Sequence, residues 1–480
     1  MEESDCIVAN HDLVMADLAL GGGAILPEPE NCIYICDEGH RLGDTAIRHF
    51  GAECRINSTL SWLERIPKQC KGQTTLFAKD ETLAEQLPKI ESEAENLCDL
   101  LAMAYPVMKD YIDRSEELDS SFRFSHGDVG TTIRDIATQI VKHTSTWLGR
   151  LEVLEDTLSD ALSDKQYPVA IADIEVFYQQ AGSWLSGAER LLMLWDRLRK
   201  ETKIGEIPIA CWLKLDVLAD GNMDISINAS PIQAAEILKD RLWGSCYAAV
   251  LTSATLQSLG NFNALQRETG IPSSSLFLSV AGAFDYAKAA SLKVPSDAAE
   301  GNSVEQHTEY IIDNLSSLIE SNVGTLVLFS SKRQMEEVFD DLPKDLTKFV
   351  LIQGQYSNRE MIRLHKERID QGNTSVLLGL ASFAEGVDLP GDYCRHVIIA
   401  KLPFAVPNDP LQQALAEWIE VNGGNSFFDI SLPLASLRLI QAAGRLLRTE
   451  TDEGTVTILD KRLVSKRYGS QLLDALPPFR

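Results

Sequence analysis

The sequence of 480 residues lacks features that would place it among membrane or exported proteins. No apolar run is long enough to span a bilayer, and the first residues, MEESDC, lack the basic and then apolar pattern of a signal peptide. These absences argue against membrane insertion and against export. We therefore expect a cytoplasmic protein that has no membrane partner.

Closely paired cysteines are also missing. The nine cysteines are scattered, and none forms a CxxC pair. Several lie in apolar runs, where a reduced cysteine behaves as a small hydrophobic side chain. This spacing disfavours a metal or iron–sulphur site built from this chain.

Positive charge is scarce. The chain has 44 Lys and Arg residues against 70 Asp and Glu residues, which gives a formal net charge of −26. Such a charge opposes non-specific binding to nucleic acid or to an anionic membrane. It does not exclude a nucleic-acid enzyme, because basic residues can be localised on one surface.

The hydrophobic pattern predicts an α/β protein with a helical insertion. Residues 31–37 are predicted to form a buried strand, and residues 55–242 show helical spacing with few β-branched runs. Short apolar strands then alternate with helices, which indicates a parallel sheet covered on both faces, with ligands at the carboxyl ends of its strands. The predicted strands are YAAVLTSATL (247–256), LVLFSS (326–331), FVLIQG (349–354), SVLLGL (375–380), HVIIAKL (396–402) and TVTILD (455–460).

The tetrapeptide DEGH, residues 37–40, directly follows the first predicted strand. A carboxylate at a strand end can hold Mg²⁺, and an adjacent carboxylate can polarise an attacking water. We therefore assign Asp37 to Mg²⁺ and Glu38 to the water of a nucleotide-hydrolysing site. The alternative is a solvated surface turn, which the preceding apolar strand disfavours.

Two further polar motifs follow predicted strands. TSAT, Thr252 to Thr255, offers hydroxyls that can hydrogen-bond the carboxylates or the histidine of a neighbouring strand, although alone it is more typical of a Ser/Thr turn. SFAEGVDL, residues 382–389, contains Gly386 and Asp388. A turn there can contact a ribose or relay the state of a phosphate, and a tight turn with solvated acids is the other interpretation.

The last motif is QAAGRLLR, residues 441–448. On a helix, Gln441, Arg445 and Arg448 are at positions i, i+4 and i+7 and share one face. Gly444 costs a helix about 1 kcal/mol relative to alanine, which suggests close packing at that position. Two arginines on such a helix can reach the phosphates of a nucleotide. The alternative is a pair of solvated arginines.

The order DExH, TSAT, EGVDL and QxxGRxxR is the linear order of superfamily 2 helicase motifs. With these residues the chain resembles the DinG-type bacterial DNA helicases, which are relatives of the XPD-like iron–sulphur helicases; the paralogous YoaA type is similar. The resemblance runs from IVANHDLVMADLAL (7–20) to DKRLVSKRYGSQLLDALP near the end. It implies RecA-like parallel-sheet motor domains, the first incomplete and the second complete, with an inserted helical arch. We expect motor domain 1 at 1–54 and 243–290, the arch at 55–242 and motor domain 2 at 291–480.

The resemblance also implies an activity. It implies a motor that uses ATP and Mg²⁺, moves 5′ to 3′ on single-stranded DNA, and acts on forked DNA in DNA repair, with single-stranded-DNA-binding protein as a possible partner. The positions that match the family motifs are the Mg²⁺ and water acids Asp37 and Glu38, the coupling histidine His40, Gly386 and Asp388 of the fifth motif, and Gln441, Arg445 and Arg448 of the sixth, whose arginines read the γ-phosphate.

Two parts of the family pattern are missing from this sequence. No stretch has the form GxxxxGKS or GxxxxGKT, and GGGAIL (21–26) has no lysine. The four cysteines of the family's 4Fe–4S cluster also have no counterpart. Without a P-loop the β- and γ-phosphates lose their main cradle, so we expect little ATPase activity from this chain alone and an exposed edge on the sheet of motor domain 1.

Two interpretations follow. In the first, the chain is the C-terminal portion of a DinG-type helicase whose N-terminal part is missing from the sequence or is supplied in trans. In the second, it is a non-catalytic, truncated relative that binds DNA or a protein. The net acidity and the lack of a convincing basic and aromatic stripe favour the first.

Overall fold

The computed structural model describes residues 4–115, 121–202, 205–218, 221–301, 303–380, 383, 387–405 and 409–480. Two compact units are present. Unit 1 contains the described residues of Met1–Leu26, Gly43–Ala234 and Pro407–Gly423, and unit 2 contains those of Pro27–Leu42, Ala235–Val406 and Gly424–Arg480. These two units are not the domains expected from the sequence. The expected domain boundaries therefore remain a prediction.

Long helices form most of unit 1. In the two longest helices, α5 (Glu81–Asp113) and α6 (Gly130–Ser163), the apolar residues recur at intervals of three and four and are buried, as the helical spacing predicts. Asp80 caps α5 by accepting a hydrogen bond from the backbone of Leu83 at 2.9 Å. The helices are α1 (His11–Ala19), α2 (Leu42–His49), α3 (Ile56–Leu63), α4 (Ile66–Leu76), α5 (Glu81–Asp113), α6 (Gly130–Ser163), α7 (Ile171–Leu198) and α15 (Pro410–Val421).

Unit 1 also contains a sheet that the sequence pattern missed. Four antiparallel strands pair in the order β2-β5-β4-β3, within and at the edge of the segment expected to be helical. The strands are β2 (Ala52–Arg55), β3 (Ser121–Phe124), β4 (Ile209–Val217) and β5 (Met223–Pro231). The predicted helical insertion is confirmed, but these strands were not predicted, because they are short or alternate polar and apolar residues over a few positions only.

Helix α15 packs on this sheet, although its sequence lies far from it in the chain. Ala414 is buried against Ala210 and Ile232. Arg123 on β3 donates to Gln413 at 3.1 Å and to Glu417 at 2.8 Å. The contact is therefore both apolar and ionic.

A six-stranded parallel sheet is the centre of unit 2, as the sequence predicts. Its strand order is β7-β12-β11-β8-β10-β9. Neighbouring residues of one strand, such as Val327 and Leu328, belong to two different hydrophobic clusters, so both faces of the sheet are covered. The strands are β7 (Ala290–Lys293), β8 (Gly324–Phe329), β9 (Val350–Ile352), β10 (Ser375–Leu380), β11 (His396–Ile399) and β12 (Gly454–Ile458).

Unit 2 also contains helices. They are α8 (Ala235–Leu238), α9 (Asn263–Thr269), α10 (Tyr286–Ala289), α11 (Val304–Leu318), α12 (Lys332–Asp341), α13 (Lys344–Thr347), α14 (Asn358–Asp370), α16 (Leu432–Ala443), α17 (Arg462–Ser465) and α18 (Arg467–Ala475). In the part of the chain that the structure describes, no helix has both the length and the apolarity needed to cross a bilayer.

A separate two-stranded parallel sheet completes unit 2. It pairs β1 (Ile33–Cys36) with β6 (Ala248–Leu251). The expected burial of the first strand was wrong: Ile33 is 61% exposed and Ile35 is 72% exposed. Among the described residues no further strand pairs with these two, so neither strand has a second neighbour in this sheet.

Candidate active site

The DEGH and TSAT motifs lie side by side because β1 and β6 are parallel and in register. Cys36 pairs with Leu251, so the residues that follow the two strands emerge at the same edge. Backbone hydrogen bonds continue past the strands, from the N–H of Thr252 to the carbonyl of Cys36 and from the N–H of Gly39 to the carbonyl of Thr252, both at 2.9 Å. The two motifs therefore form one local structure.

Asp37 has one oxygen engaged and one available. Its Oδ1 accepts hydrogen bonds from the N–H of Glu38 at 3.0 Å and from the hydroxyl of Thr252 at 3.2 Å. Its Oδ2 has no partner among the described residues. The same part of the chain holds no cluster of three or more His, Cys, Asp or Glu side chains that would bind a metal. One exposed carboxylate oxygen suits Mg²⁺, which keeps most of its waters and takes phosphate oxygens as ligands.

Glu38 is held by its backbone and by a hydroxyl. Its backbone is left-handed, with φ of 50°, which is uncommon for a residue with a side chain. Its Oε2 accepts a hydrogen bond from the hydroxyl of Ser253 at 3.0 Å and lies 3.2 Å from Nδ1 of His40. The side chain remains 60% exposed, so its carboxylate is oriented and still accessible to water.

Ser253, His40 and Gln441 extend this arrangement into a chain of hydrogen bonds. Nδ1 of His40 lies 2.8 Å from the hydroxyl of Ser253, and Nε2 of His40 lies 3.2 Å from Nε2 of Gln441. An amide nitrogen only donates, so Nε2 of the imidazole accepts and its proton is on Nδ1. Ser253 then accepts from His40 and donates to Glu38. We call this chain from Glu38 to Gln441 the relay.

Gln441 also donates to the hydroxyl of Thr255 at 3.2 Å. The amide therefore contacts both the DEGH and the TSAT motifs. The hydrogen bonds of Thr252 to Asp37, and of Ser253 to Glu38 and His40, confirm that TSAT hydroxyls bind the carboxylates and the histidine that follow the neighbouring strand. The contact between Gln441 and His40 brings the QAAGRLLR and DEGH motifs together, although these two residues lie 401 positions apart in the chain.

The helix that was predicted to carry Gln441, Arg445 and Arg448 is shorter than expected, so this prediction was wrong. α16 ends at Ala443, and the following residues form a turn, so the three side chains do not share a helical face. Gly444 is exposed and approaches only carbonyls at the end of its own helix, so the expected close packing was also wrong. Arg445 is partly buried in this turn.

The side chain of Arg448 contacts the fifth motif. Its guanidinium donates to the carbonyl of Val387 at 3.1 Å and lies 3.6 Å from the carboxylate of Asp388. Gly386, the other residue expected from this motif, lies outside the described residues. The fifth and sixth motifs are thus adjacent where the structure describes them.

Asp452 fixes the turn that carries Arg448, and sequence reasoning missed it. The buried carboxylate accepts hydrogen bonds from the N–H groups of Arg448 (2.7 Å), Thr449 (2.9 Å) and Gly391 (3.0 Å). Burial by itself raises the pKa of Asp452, but these hydrogen bonds and the Thr449 hydroxyl outweigh it and leave the pKa below its ordinary value. The spacing RxxxD was the available signal.

The Gly-rich stretch GGGAIL does not form a phosphate cradle. The buried carboxylate of Asp17 accepts hydrogen bonds from the N–H groups of Gly23 (3.0 Å), Ile25 (2.6 Å) and Leu26 (3.1 Å). Gly21, with φ of 107°, begins the left-handed turn that makes this possible. The amides are therefore used by the chain's own carboxylate, as expected for a stretch that is not a P-loop.

The cysteines are all free, and five of the nine are buried. Burial raises the pKa of Cys54 and of Cys211 to about 12, so these thiols are inert. None of the described cysteines takes part in a metal-binding cluster.

Comparisons with known proteins identify relatives of this chain. The model of the helicase C-terminal domain family matches residues 314–479. The ATP-dependent DNA helicase DinG of Photobacterium profundum is 36% identical over 486 residues, which cover all of this chain and 69% of that protein. DinG of Salmonella paratyphi A is 32% identical over 497 residues, which cover all of this chain and 67% of that protein.

A solved structure, that of S. tokodaii Xpd4, has a similar fold. It matches with a TM-score of 0.53 and 14% identity, over 94% of this chain and 75% of that one. This likeness supports the fold, and the sequence relatives supply the family. The chain belongs to the family of DinG-type ATP-dependent DNA helicases.

Proposed function

We propose that this chain carries the water-activating and γ-phosphate-sensing parts of an ATP-driven motor that moves 5′ to 3′ on single-stranded DNA. The relay is the observation that carries this proposal. It connects the carboxylate beside the attacking water, Glu38, with the sixth motif through His40 and Gln441. A change at one end therefore alters the hydrogen bonding at the other.

In this proposal Asp37 holds Mg²⁺ through its available oxygen. When bound, Mg²⁺ neutralises charge on the β- and γ-phosphates. Glu38 orients the attacking water, and the Ser253 hydroxyl keeps its carboxylate in place. His40 connects Glu38 with Gln441 through hydrogen bonds, so a shift of Glu38 changes the contact that Gln441 makes.

The arginines of the sixth motif would contact the phosphates of bound ATP. Arg445 and Arg448 provide the cations, and an arginine in such a role contributes roughly 10³–10⁵ in rate. Asp388 lies 3.6 Å from the guanidinium of Arg448, and a bound phosphate would offer that guanidinium an alternative anion. The sequence assigns Gly386 of the fifth motif to nucleotide contact as well.

The phosphate cradle must come from a segment that these 480 residues do not contain. We propose that a P-loop segment, in cis or as an N-terminal half in trans, packs against β1 and β6. The exposure of Ile33, Ile35 and Val250 (48%) supports this, because a parallel sheet of this kind is normally buried. The family's 4Fe–4S cluster would belong to the same segment. Forked DNA as substrate, DNA repair, single-stranded-DNA-binding protein as partner and a cytoplasmic location follow from the family.

The test supplies the missing segment. The part of the Photobacterium profundum relative that this chain does not match is fused upstream, and ATP hydrolysis is measured with and without single-stranded DNA. We expect low turnover from the chain alone, DNA-stimulated turnover from the fusion, and its loss in Glu38→Gln. Glu305→Gln, an exposed carboxylate on α11, is the matched control.

Two results would contradict the proposal. Turnover that survives Glu38→Gln in the fusion would remove Glu38 from the reaction. A fusion that binds DNA but never hydrolyses ATP would favour the non-catalytic DNA- or protein-binding module.

A further inference from the structure

One buried carboxylate connects the fifth and the sixth motifs. Oδ1 of Asp452 accepts hydrogen bonds from the N–H of Gly391 at 3.0 Å and from the hydroxyl of Thr449 at 2.6 Å. Its Oδ2 accepts from the N–H groups of Arg448 at 2.7 Å and of Thr449 at 2.9 Å. Gly391 lies just beyond the fifth motif, and Arg448 is the last residue of the sixth. The donors to this one side chain therefore come from two distant segments of the chain.

The turn that contains Asp452 is closed on itself and attached to the sheet. The N–H of Asp452 donates to the carbonyl of Thr449 at 3.1 Å, and its carboxylate accepts the N–H of that same residue. Directly after the turn, β12 begins at Gly454, where a Cβ would collide with the carbonyl oxygen of Arg395. The N–H of Thr455 donates to this same carbonyl at 2.9 Å. The start of β12 therefore gives the carboxylate a fixed position.

The same carboxylate fixes both ends of the Arg448 side chain. It binds the backbone N–H of Arg448 directly. The guanidinium at the other end donates to the carbonyl of Val387 at 3.1 Å. Val387 and Leu389 are buried, and the carboxylate binds the N–H of Gly391 at the end of this short segment. Asp452 therefore sets the base of the arginine relative to the backbone that its guanidinium contacts.

A buried charge is more than this turn needs for its own stability. Burial alone would raise the pKa of Asp452, but the hydrogen bonds lower it below its ordinary value, so the carboxylate is charged at neutral pH. An asparagine or a serine can cap such a turn without a buried charge, but each offers a single oxygen as acceptor. Only a carboxylate has two acceptor oxygens. It can therefore gather the donors of both motifs at one point.

We propose that Asp452 is a positioning residue for ATP hydrolysis: it joins the fifth and sixth motifs and thereby places the guanidinium of Arg448 at the γ-phosphate. This inference rests on the proposed function, in which Arg448 supplies a cation, and it adds a residue that acts through that arginine. Both oxygens of Asp452 are occupied by donors of the chain itself. Asp452 therefore influences the phosphate only through the position of Arg448.

The first experiment measures hydrogen exchange in the 480-residue chain by mass spectrometry. Asp452→Ala removes every acceptor, so exchange should become at least about threefold faster in residues 387–395 and in residues 444–453 together. Asp452→Asn keeps one oxygen and should speed exchange in one of these two segments only. Val338→Ala is the control for a general loss of stability, because Val338 is buried in the hydrophobic cluster on the other face of the sheet. Thermal unfolding confirms that each variant is folded.

The second experiment measures ATP turnover in the fusion with the P-loop segment. Asp452→Ala should lower kcat about tenfold to a hundredfold and change KM by less than about twofold, because a displaced arginine loses transition-state contacts and not substrate binding. In a fusion that already carries Arg448→Ala, the same substitution should lower kcat by less than about twofold, because the group that it positions is gone. Val338→Ala should leave kcat unchanged, although it lowers the unfolding temperature.

Three outcomes would overturn the proposal. The first is faster exchange in only one segment of Asp452→Ala, because the carboxylate would then not join the two motifs. The second is an equal loss of kcat from Asp452→Ala with and without Arg448, and the third is the same loss from Val338→Ala. In a fusion with Glu38-dependent turnover these outcomes contradict the role of Asp452 alone. A fusion without such turnover contradicts the proposed function, so the two failures are distinguishable.

Discussion

The side-chain amide of Gln441 donates to Nε2 of His40 at 3.2 Å across 401 residues of sequence. This contact fixes the imidazole proton on Nδ1, and the proton is then directed at Ser253, which lies 2.8 Å away. The hydroxyl of Ser253 is then free to donate to Glu38 at 3.0 Å, a shorter contact than the 3.4 Å to the hydroxyl of Thr255. The sixth motif therefore determines how the DEGH carboxylate is held.

Ser253→Ala should slow ATP hydrolysis in the fusion with a P-loop segment. The substitution removes the hydroxyl between His40 and Glu38, so the carboxylate is no longer oriented. We expect kcat to fall about tenfold to a hundredfold with KM little changed, because the contact matters for the reaction and not for ATP binding. Ser274→Ala, an exposed serine of the same unit, is the control. Equal loss in both variants would count against the relay.

The two-stranded sheet should be the least protected sheet of unit 2. β1 and β6 have no further described neighbour and expose apolar side chains, whereas the six-stranded sheet is covered on both faces. Hydrogen exchange should therefore be faster in Ile33–Cys36 and Ala248–Leu251 than in β8, β10 and β11. We extend this expectation to residues 1–60 and 243–290. Uniformly strong protection would contradict it.

Ile35→Thr and Ile398→Thr form a matched pair of substitutions that compares the exposed β1 with the buried β11. Ile35 is 72% exposed and Ile398 is fully buried. The first substitution should change the free energy of unfolding by less than about 0.5 kcal/mol, and the second should lower it by about 2–4 kcal/mol. Similar losses, measured by urea denaturation, would show that β1 is buried in solution.

Unit 2 should lose stability as the pH falls, and His365 should contribute. The fully buried imidazole donates through Nε2 to the carbonyl of Tyr393 at 2.8 Å and contacts the hydroxyl of Ser375 through Nδ1. Burial lowers its pKa to about 4. The unfolded value is about 6.5, so the unfolded chain binds more protons between these values, and stability is complete above about pH 6.5 and declines as the pH falls towards 4.

The contribution is at most about 3 kcal/mol. His365→Gln removes the titrating group, so urea denaturation at a series of pH values should show a flatter decline between about pH 6.5 and 4, despite lower stability at neutral pH. His11→Gln, at a position away from this core, is the control. An unchanged slope in His365→Gln would show that other groups determine the acid sensitivity.

The ion pair between Arg123 and Glu417 should couple β3 to α15 within unit 1. Both side chains are mostly buried, with 16% and 21% exposed, and the N–H of His126 also donates to the same carboxylate at 2.8 Å. A double-mutant cycle with alanine should give a coupling energy of about 1–3 kcal/mol. The exposed pair of Lys109 and Asp113 on α5 should give at most about 0.5 kcal/mol. Equal coupling energies would mean that α15 is held by apolar packing alone.

Local sequence was sufficient for much of the second sheet. The strands over 324–329, 375–380, 396–399 and 454–458 lie within or next to the predicted runs, because short apolar runs between helical segments are typical of a sheet buried on both faces. The motifs at the strand ends were found for the same reason. Failures occurred where a segment's neighbours decide its structure. β4 and β5 form in a segment of helical texture because they pair with each other. Ile33 and Ile35 look buried by composition, but no described residues cover them.

The sequence by itself determined which chemical groups are present and roughly which strand each one follows. Only the tertiary structure decided that Ser253 and Gln441 lie on opposite sides of His40, and that Asp452 organises the turn of Arg448. It also decided that the rings of Phe404, Phe427 and Tyr468, from three distant segments, form one cluster. The physical reason is that a hydrogen bond depends on distances of about 3 Å, and residues far apart in the chain reach such distances only through strand order and register.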